Sequence, residues 1–244
     1  MKRYTLRLAY NGKNYFGWQR QPREISVQEV IEDTLTKLNH NHKVAVLGCG
    51  RTDTGVHAAD YILHFDFDEI HDLAQFVSRL NRMLPRDIVI FEAKEVAPDF
   101  HARFDAKSRT YRYFVQTQKN CFNYEQRHYV NLPLDIDKMN AGATLFLGKQ
   151  DFTSFSKLHT DVKTNICDVT VAKWVQTNDD ELYFEITSDR FLRNMVRAIV
   201  GTLLEVGLGK IQVVEITTIL AKKDRGKASS SAPGNALFLW EVKY

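Results

Sequence analysis

The sequence predicts an α+β fold made of two β-α-β-β-α-β halves. Three observations carry this: stretches with apolar residues at every second position, capped stretches with apolar residues at helical spacing, and recurrence of their order in the second half. Tyr4, Leu6, Leu8 and Tyr10 alternate with Thr5, Arg7 and Ala9, so a half-buried strand opens the chain. Ser26-Val27-Gln28-Glu29 has the form of a capping box, and Val27, Val30, Ile31, Leu35 and Leu38 follow on one helical face. Residues 43–47 form a short strand candidate, and Tyr61, Leu63, Phe65 and Phe67 alternate again. Asp72 caps a helix that turns Leu73, Phe76, Val77, Leu80 and Leu84 inward and stops at Pro85. Residues 87–96 read as the next strand.

The second half repeats the order. Residues 109–117 are a strand, and residues 135–147 a helix with Ile136, Met139, Ala143 and Phe146 inward. Strands over 166–175 and 182–188, a long helix over 191–206 and a final strand over 237–242 follow. An added helix over 213–223 precedes a loop, residues 224–235, rich in Lys, Ser, Gly and Pro. Each half has the ferredoxin-like (RRM-like) order. The expected division is residues 1–105 and 106–244, with a cleft between the halves.

The chain has 244 residues, the size of one large domain or two compact halves. Its 44% apolar and 26% charged residues exclude disordered and fibrous classes. The greasiest stretch, residues 191–206, is broken by Arg193, Arg197 and Glu205, too short and too charged for a membrane span. Residues 1–7 carry charge but no continuous apolar run, so no signal peptide is expected. Cys49, Cys121 and Cys167 suggest neither a disulfide framework nor a Cys-x-x-Cys metal site, and a reducing cytoplasm is the expected compartment.

A net charge of +3 does not by itself identify a polyanion binder. Its distribution is more informative. Arg103, Lys107, Arg109, Arg112 and Lys119 are interleaved with Phe104, Tyr111, Tyr113 and Phe114, against the single acid Asp105. Arg190, Arg193 and Arg197 form a second cluster, and Lys222, Lys223, Arg225 and Lys227 a third. Each is compatible with a solvated face. Cations mixed with aromatics are also what a nucleic-acid groove needs, since phosphates want charge and splayed bases want stacking surfaces.

The segment that packing does not explain is Gly48-Cys49-Gly50-Arg51-Thr52-Asp53-Thr54-Gly55-Val56-His57-Ala58, with three glycines, two charges and no apolar period. It is readable as a turn with Asp53 as a local cap, or as a loop that holds a carboxylate at a fixed angle over a ligand. The glycine spacing fits neither G-x-G-x-x-G nor the P-loop, and a central acid repels phosphate.

This segment resembles the signature loop G-x-G-R-T-D-x-G-V-H-A of the TruA family of tRNA pseudouridine synthases. The resemblance runs along the chain. Tyr10-Asn11-Gly12 with Gly17-Trp18-Gln19-Arg20-Gln21 is similar to the family's opening segment. Phe100-His101-Ala102-Arg103-Phe104 followed by Tyr111-Arg112-Tyr113 is similar to its mid-chain motif. Residues 148–155 fit G-x-x-D-F-x-x-F, and Phe191-Leu192, Met195-Val196-Arg197 and Gly201 fit a further motif. Ala232-Pro233 and Val242-Lys243-Tyr244 close the pattern. The departures are Asn11 for the usual Asp, Cys49 where Ala is common, and Tyr61 where Gln is frequent; none stands at a catalytic position.

The resemblance implies isomerisation of uridine to pseudouridine at positions 38, 39 and 40 of the tRNA anticodon stem-loop, in a catalytic cleft between the halves. Neither cofactor nor metal is implied, in keeping with the lack of a dinucleotide fingerprint or metal-ligand spacing. Asp53 matches the catalytic aspartate, a residue type suited to positive charge developing at C1′. Arg197 matches its basic partner, and with Arg190 and Arg193 at i, i+3 and i+7 it is expected on one helical stripe. Tyr111 matches the tyrosine that stacks on the uracil, with Tyr113 two residues on equally readable as core. Arg51 matches the residue that fills the gap when the target nucleotide flips out. A homodimer across which one tRNA lies is also implied, supported in the sequence only by the apolar stretch 191–206 and the separated basic clusters. Two readings from other classes remain: a non-catalytic RNA-binding module, although residues 109–115 lack the glycine of an RNP1 strand, and a nucleoside or base hydrolase.

Overall fold

The computed structural model describes residues 1–157 and 164–244, and among them the chain forms ten strands and five α-helices, a mixed α+β fold. Two compact units are distinguished, residues 1–107 with 238–244, and residues 108–237.

The first unit contains β1 (Lys2–Tyr10), α1 (Val27–Leu38), β2 (Val46–Gly48), β3 (His57–Phe67), α2 (Leu73–Met83) and β4 (Ile88–Val96). β1 lies between β3 and β4, antiparallel to both, and β2 pairs antiparallel with the far half of β3. Alternation does what it predicts: Tyr4, Leu6, Leu8 and Tyr10 are all buried. Leu6 faces Leu63 in one neighbour and Ala93 in the other. Both helices begin where their caps say. Ser26 Oγ accepts from the Glu29 amide at 3.2 Å, and Asp72 Oδ1 from the Gln75 amide at 2.8 Å. Ile31, Leu35 and Leu80 are fully buried, each worth about 1.5–3 kcal/mol of apolar burial. Phe76 seals one end, edge-on to Phe67 at 5.5 Å.

The second unit contains β5 (Ser108–Gln116), β6 (His128–Tyr129), α3 (Ile136–Thr144), β7 (Gly148–Asp151), β8 (Ile166–Gln176), β9 (Glu181–Ser188), α4 (Met195–Gly207) and α5 (Glu215–Lys222). β5, β9, β8 and β7 pair antiparallel in that order, and β6 adds to β5 in parallel. Asp135 caps α3 through the Lys138 amide, 3.0 Å away. Short β6 and β7 are not announced by any apolar period.

One expectation, the start of the long helix, needs correction. Helix α4 starts at Met195 rather than 191: Asn194, at its N-cap, adopts a left-handed conformation (φ 68°) through which a helix cannot run. Asparagine tolerates this region, and its Nδ2 donates to Ser231 Oγ at 2.7 Å. Arg190 and Arg193 therefore lie outside the helix and share no helical stripe with Arg197. The apolar character of this stretch also loses its bearing on self-association: eleven residues of α4 are buried within the chain itself. The final strand, β10 (Leu237–Lys243), brings residues from Phe238 onward into the first unit, where Phe238 and Leu239 pair in parallel with His57 and Ala58. Local patterning does not announce that pairing.

Candidate active site

The loop that carries Arg51 and Asp53 is anchored at its start, middle and end. At its start the Cys49 amide donates to the Ile62 carbonyl at 2.8 Å, and the Tyr61 hydroxyl donates to the Gly50 carbonyl at 2.5 Å. In its middle the Thr52 carbonyl accepts from the Trp18 amide at 3.2 Å, and Thr52 Oγ1 lies 2.8 Å from the Tyr10 hydroxyl. At its end the Gly55 amide donates to the Tyr15 carbonyl at 3.2 Å, and the Val56 amide closes a turn onto the Asp53 carbonyl at 3.1 Å. Cys49, Thr52 and Val56 are buried, Asp53 is half-buried and Arg51 is exposed. The loop thus holds Asp53 by its backbone on both sides.

The clamp comes from the segment after β1. Gly17 has φ 88°, and a Cβ there would overlap the Thr52 carbonyl oxygen. Gly12 similarly leaves room for the Val56 carbonyl, and its amide donates to His57 Nδ1 at 3.0 Å. That contact fixes the acceptor nitrogen of a buried imidazole, which stacks on Phe238 at 4.4 Å. Tyr15, itself buried, ties the clamp to the rest of the unit through a 2.6 Å bond to Asp87. The departures from the family pattern have local roles. Tyr61 stacks on Trp18 with centroids 4.0 Å apart while bonding Gly50, and Asn11 caps the turn that follows it through the Lys13 amide.

Tyr111 and Arg197 stand in the second unit. Tyr111 lies opposite Ile186 on β5, half-buried, with its ring edge-on to Phe191 at 5.1 Å. Tyr113 is fully buried, and burial pushes its hydroxyl far above the ordinary phenol range, opposed by the Arg197 charge. Tyr113 is therefore a core residue at the foot of the strand that presents Tyr111. Arg197, in the first turn of α4, donates from Nε to the Ala232 carbonyl at 2.8 Å, and its own carbonyl accepts from the Ala232 amide at 2.9 Å.

The segment 224–232, legible in the sequence only as a loop, is what steadies Arg197. Arg225 Nη1 donates to the Ala228 and Ser229 carbonyls, and Nη2 to Ser231 Oγ at 2.9 Å. Ser229 bonds Glu205, and its amide donates to Thr202 Oγ1. Gly201 lets the strap lie flat on α4, since a Cβ there would overlap the Ser230 carbonyl oxygen. The sequence signal for this strap was Gly201 together with Ala232-Pro233, but only their contact gives it meaning.

The basic clusters divide on inspection. Arg112 pairs with Glu185 at 2.7 Å and covers the Tyr183 ring, so it is engaged within the unit. Arg109 donates to the Asp189 carbonyl, Lys223 pairs with Asp151 at 2.9 Å, and Arg225 is spent on the strap. Arg103, Lys107, Lys119, Arg193, Lys222 and Lys227 are exposed cations. Among the described residues no group of three His, Cys, Asp or Glu side chains is placed to hold a metal ion, and no helix is long and apolar enough to cross a membrane.

Within the first unit, a half-buried carboxylate whose loop is held on both sides is a residue type suited to positive charge at a glycosidic carbon. A family model described as tRNA pseudouridine synthase matches residues 8–105 and 143–244, taking in Arg51, Asp53 and Arg197 but not Tyr111. A tRNA pseudouridine synthase A of Bacteroides fragilis is 50% identical across the whole chain and 97% of its own length. One of Bacteroides thetaiotaomicron is 51% identical across the whole chain and 91% of its own length. One of Exiguobacterium sibiricum is 38% identical across the whole chain and 97% of its own length. The chain belongs to the tRNA pseudouridine synthase family, which makes it an isomerase acting on tRNA.

Proposed function

We propose that the chain converts uridine to pseudouridine at positions 38, 39 and 40 of the tRNA anticodon stem-loop, using Asp53 as the catalytic group. The observation that carries this reading is the anchoring of the Asp53 loop: its peptide groups are bound on both sides of a carboxylate that stays half-buried. A loop that served only as a turn would not need its central acid held so.

In the reaction the N1–C1′ bond breaks, the base turns, C5 bonds to C1′, the C5 proton leaves and N1 gains one. Asp53 meets the positive charge that develops at C1′. Arg197 is read as its basic partner. Tyr111 stacks on the uracil and takes part in removing the C5 proton, and Arg51 fills the gap left by the flipped nucleotide. The ferredoxin-like reading is supported in the first unit by the strand order β4-β1-β3-β2. The same reading has the enzyme working in the cytoplasm as a homodimer that binds one tRNA across both subunits.

Incubation with unmodified tRNA carrying C5-tritiated uridine tests the reaction. Release of tritium to solvent without free base supports the isomerase. Free uracil would show a hydrolase, and neither product with retained tRNA binding would show a binding module.

A further inference from the structure

The geometry points to a second RNA contact: Phe104, framed by His101 and Arg103, is a stacking platform for an unpaired base of the tRNA other than the target uridine. This rests on the proposed tRNA substrate. Phe104 is 74% exposed, yet it does not sit on a loose loop. The His101 amide donates to Asp105 Oδ2 at 2.7 Å, and His101 Nδ1 accepts from the Arg103 and Phe104 amides at 3.1 and 3.3 Å. The His101 carbonyl accepts from the Phe104 and Asp105 amides. Below the turn, Ala102 is fully buried. Its amide donates to His64 Nδ1 at 3.1 Å and its carbonyl accepts from the Tyr244 hydroxyl at 2.6 Å.

The displayed ring has company of a particular kind. The His101 ring lies 4.2 Å from it at 35°, and the Arg103 guanidinium carbon lies 5.7 Å from its centroid. A protein partner is the poorer fit. Apolar docking needs a patch of several hundred Å², whereas Phe104 stands among exposed Arg103, Asp105 and Lys107. One rigid π-face beside cations matches a base with its phosphates. Phe122 is more exposed still, at 95%, but its chain neighbours Cys121 and Asn123 are uncharged, whereas Phe104 follows Arg103. The acid in the Phe104 turn, Asp105, has its Oδ2 engaged by the His101 amide.

The test is the Kd of the full-length protein for unmodified tRNA, measured for the wild type and for Phe104→Ala, Phe104→Leu and Phe104→Trp. Loss of one base–aromatic stack weakens binding by about five- to 150-fold. Ala and Leu are expected in that range and Trp within about threefold of wild type. Because the ring is exposed, all three should unfold at the wild-type temperature, which separates lost contact from lost fold. Wild-type affinity in Ala or Leu would overturn the platform, as would a Trp variant as weak as Ala. A change in mass by light scattering in Phe104→Ala would assign the ring to self-association instead. Tritium release does not enter this comparison, so a wild type that binds tRNA without forming pseudouridine would defeat the proposed reaction and leave the platform to be judged on Kd.

Discussion

Gly17→Ala separates the position of Asp53 from its chemistry. Gly17 has φ 88°, a conformation that costs an L-residue about 1–2 kcal/mol. The added Cβ would also sit roughly 1 Å inside ordinary contact with the Thr52 carbonyl oxygen, and 3.2 Å from the Asp53 carbonyl carbon. Relief must move the loop, stretching the Trp18–Thr52 hydrogen bond, now 3.2 Å and worth about 0.5–1.5 kcal/mol. Together these cost about 1.5–3.5 kcal/mol, within the margin of about 5–15 kcal/mol that keeps a domain folded. At about 2–4 °C per kcal/mol for a chain this size, the unfolding temperature should drop by roughly 3–14 °C. A displacement near 1 Å at a catalytic group costs about 10²-fold in rate. Single-turnover rates at saturating enzyme, paired with thermal unfolding, measure both effects. Gly209→Ala is the control, since Gly209 has φ 71° and a Cβ there meets open space: strain without displacement, hence lower stability with a near-normal rate. A Gly17→Ala enzyme that loses stability but reacts within about threefold of wild type would show that anchoring this loop does not set the rate.

Asp53→Asn, nearly isosteric, should abolish tritium release while leaving tRNA affinity within about threefold, because affinity comes mostly from spread phosphate contacts; a near-normal initial rate refutes the assignment. Tyr111→Phe keeps the ring that packs on Phe191 and should lower the single-turnover rate by about 10²–10⁴-fold if the hydroxyl helps to remove the C5 proton; a rate within threefold of wild type leaves stacking as its whole role. Burial first, then the Arg3 and His101 charges, hold buried His64 down to about 4 from the ordinary 6.5, so the unfolded chain takes up the proton first. Its contribution is present above about pH 6.5 and lost as pH falls through 4, up to roughly 3 kcal/mol. Urea unfolding at pH 7.5 and 5 should show that decline, and His64→Asn should flatten it.

What was legible in the sequence is what is local. Ser26, Asp72 and Asp135 begin their helices because a cap acts across three residues, and the alternation of Tyr4 to Tyr10 needs only the strand itself. The errors fall where a distant contact decides. Nothing near Asn194 marks it as left-handed; the Ser231 hydroxyl that accepts from it is 37 residues away. The parallel pairing of Phe238 with His57 is equally remote. The site follows the same rule. Asp53, Arg51, Tyr111 and Arg197 were marked by motif resemblance, whereas their supports, Tyr10 for Thr52 and Ala232 for Arg197, lie 42 and 35 residues off.

The two segments that carry the charged groups are built alike, and this bears on how they work. At Gly17 and again at Gly201 a carbonyl oxygen occupies the space that a Cβ would take, so one backbone lies directly against another. Asp53 is then set by amide–carbonyl bonds to residues 15 and 18, and Arg197 by paired bonds to Ala232. The amide–carbonyl bonds among them involve no titrating group and no rotamer-rich side chain, so they hold through changes of pH and salt that would loosen a surface ion pair. A charged group that acts on a substrate gains from being placed before the substrate arrives, because reorganisation at the moment of reaction adds directly to the barrier. Backbone anchoring at Gly17 and Gly201 supplies that placement for both segments.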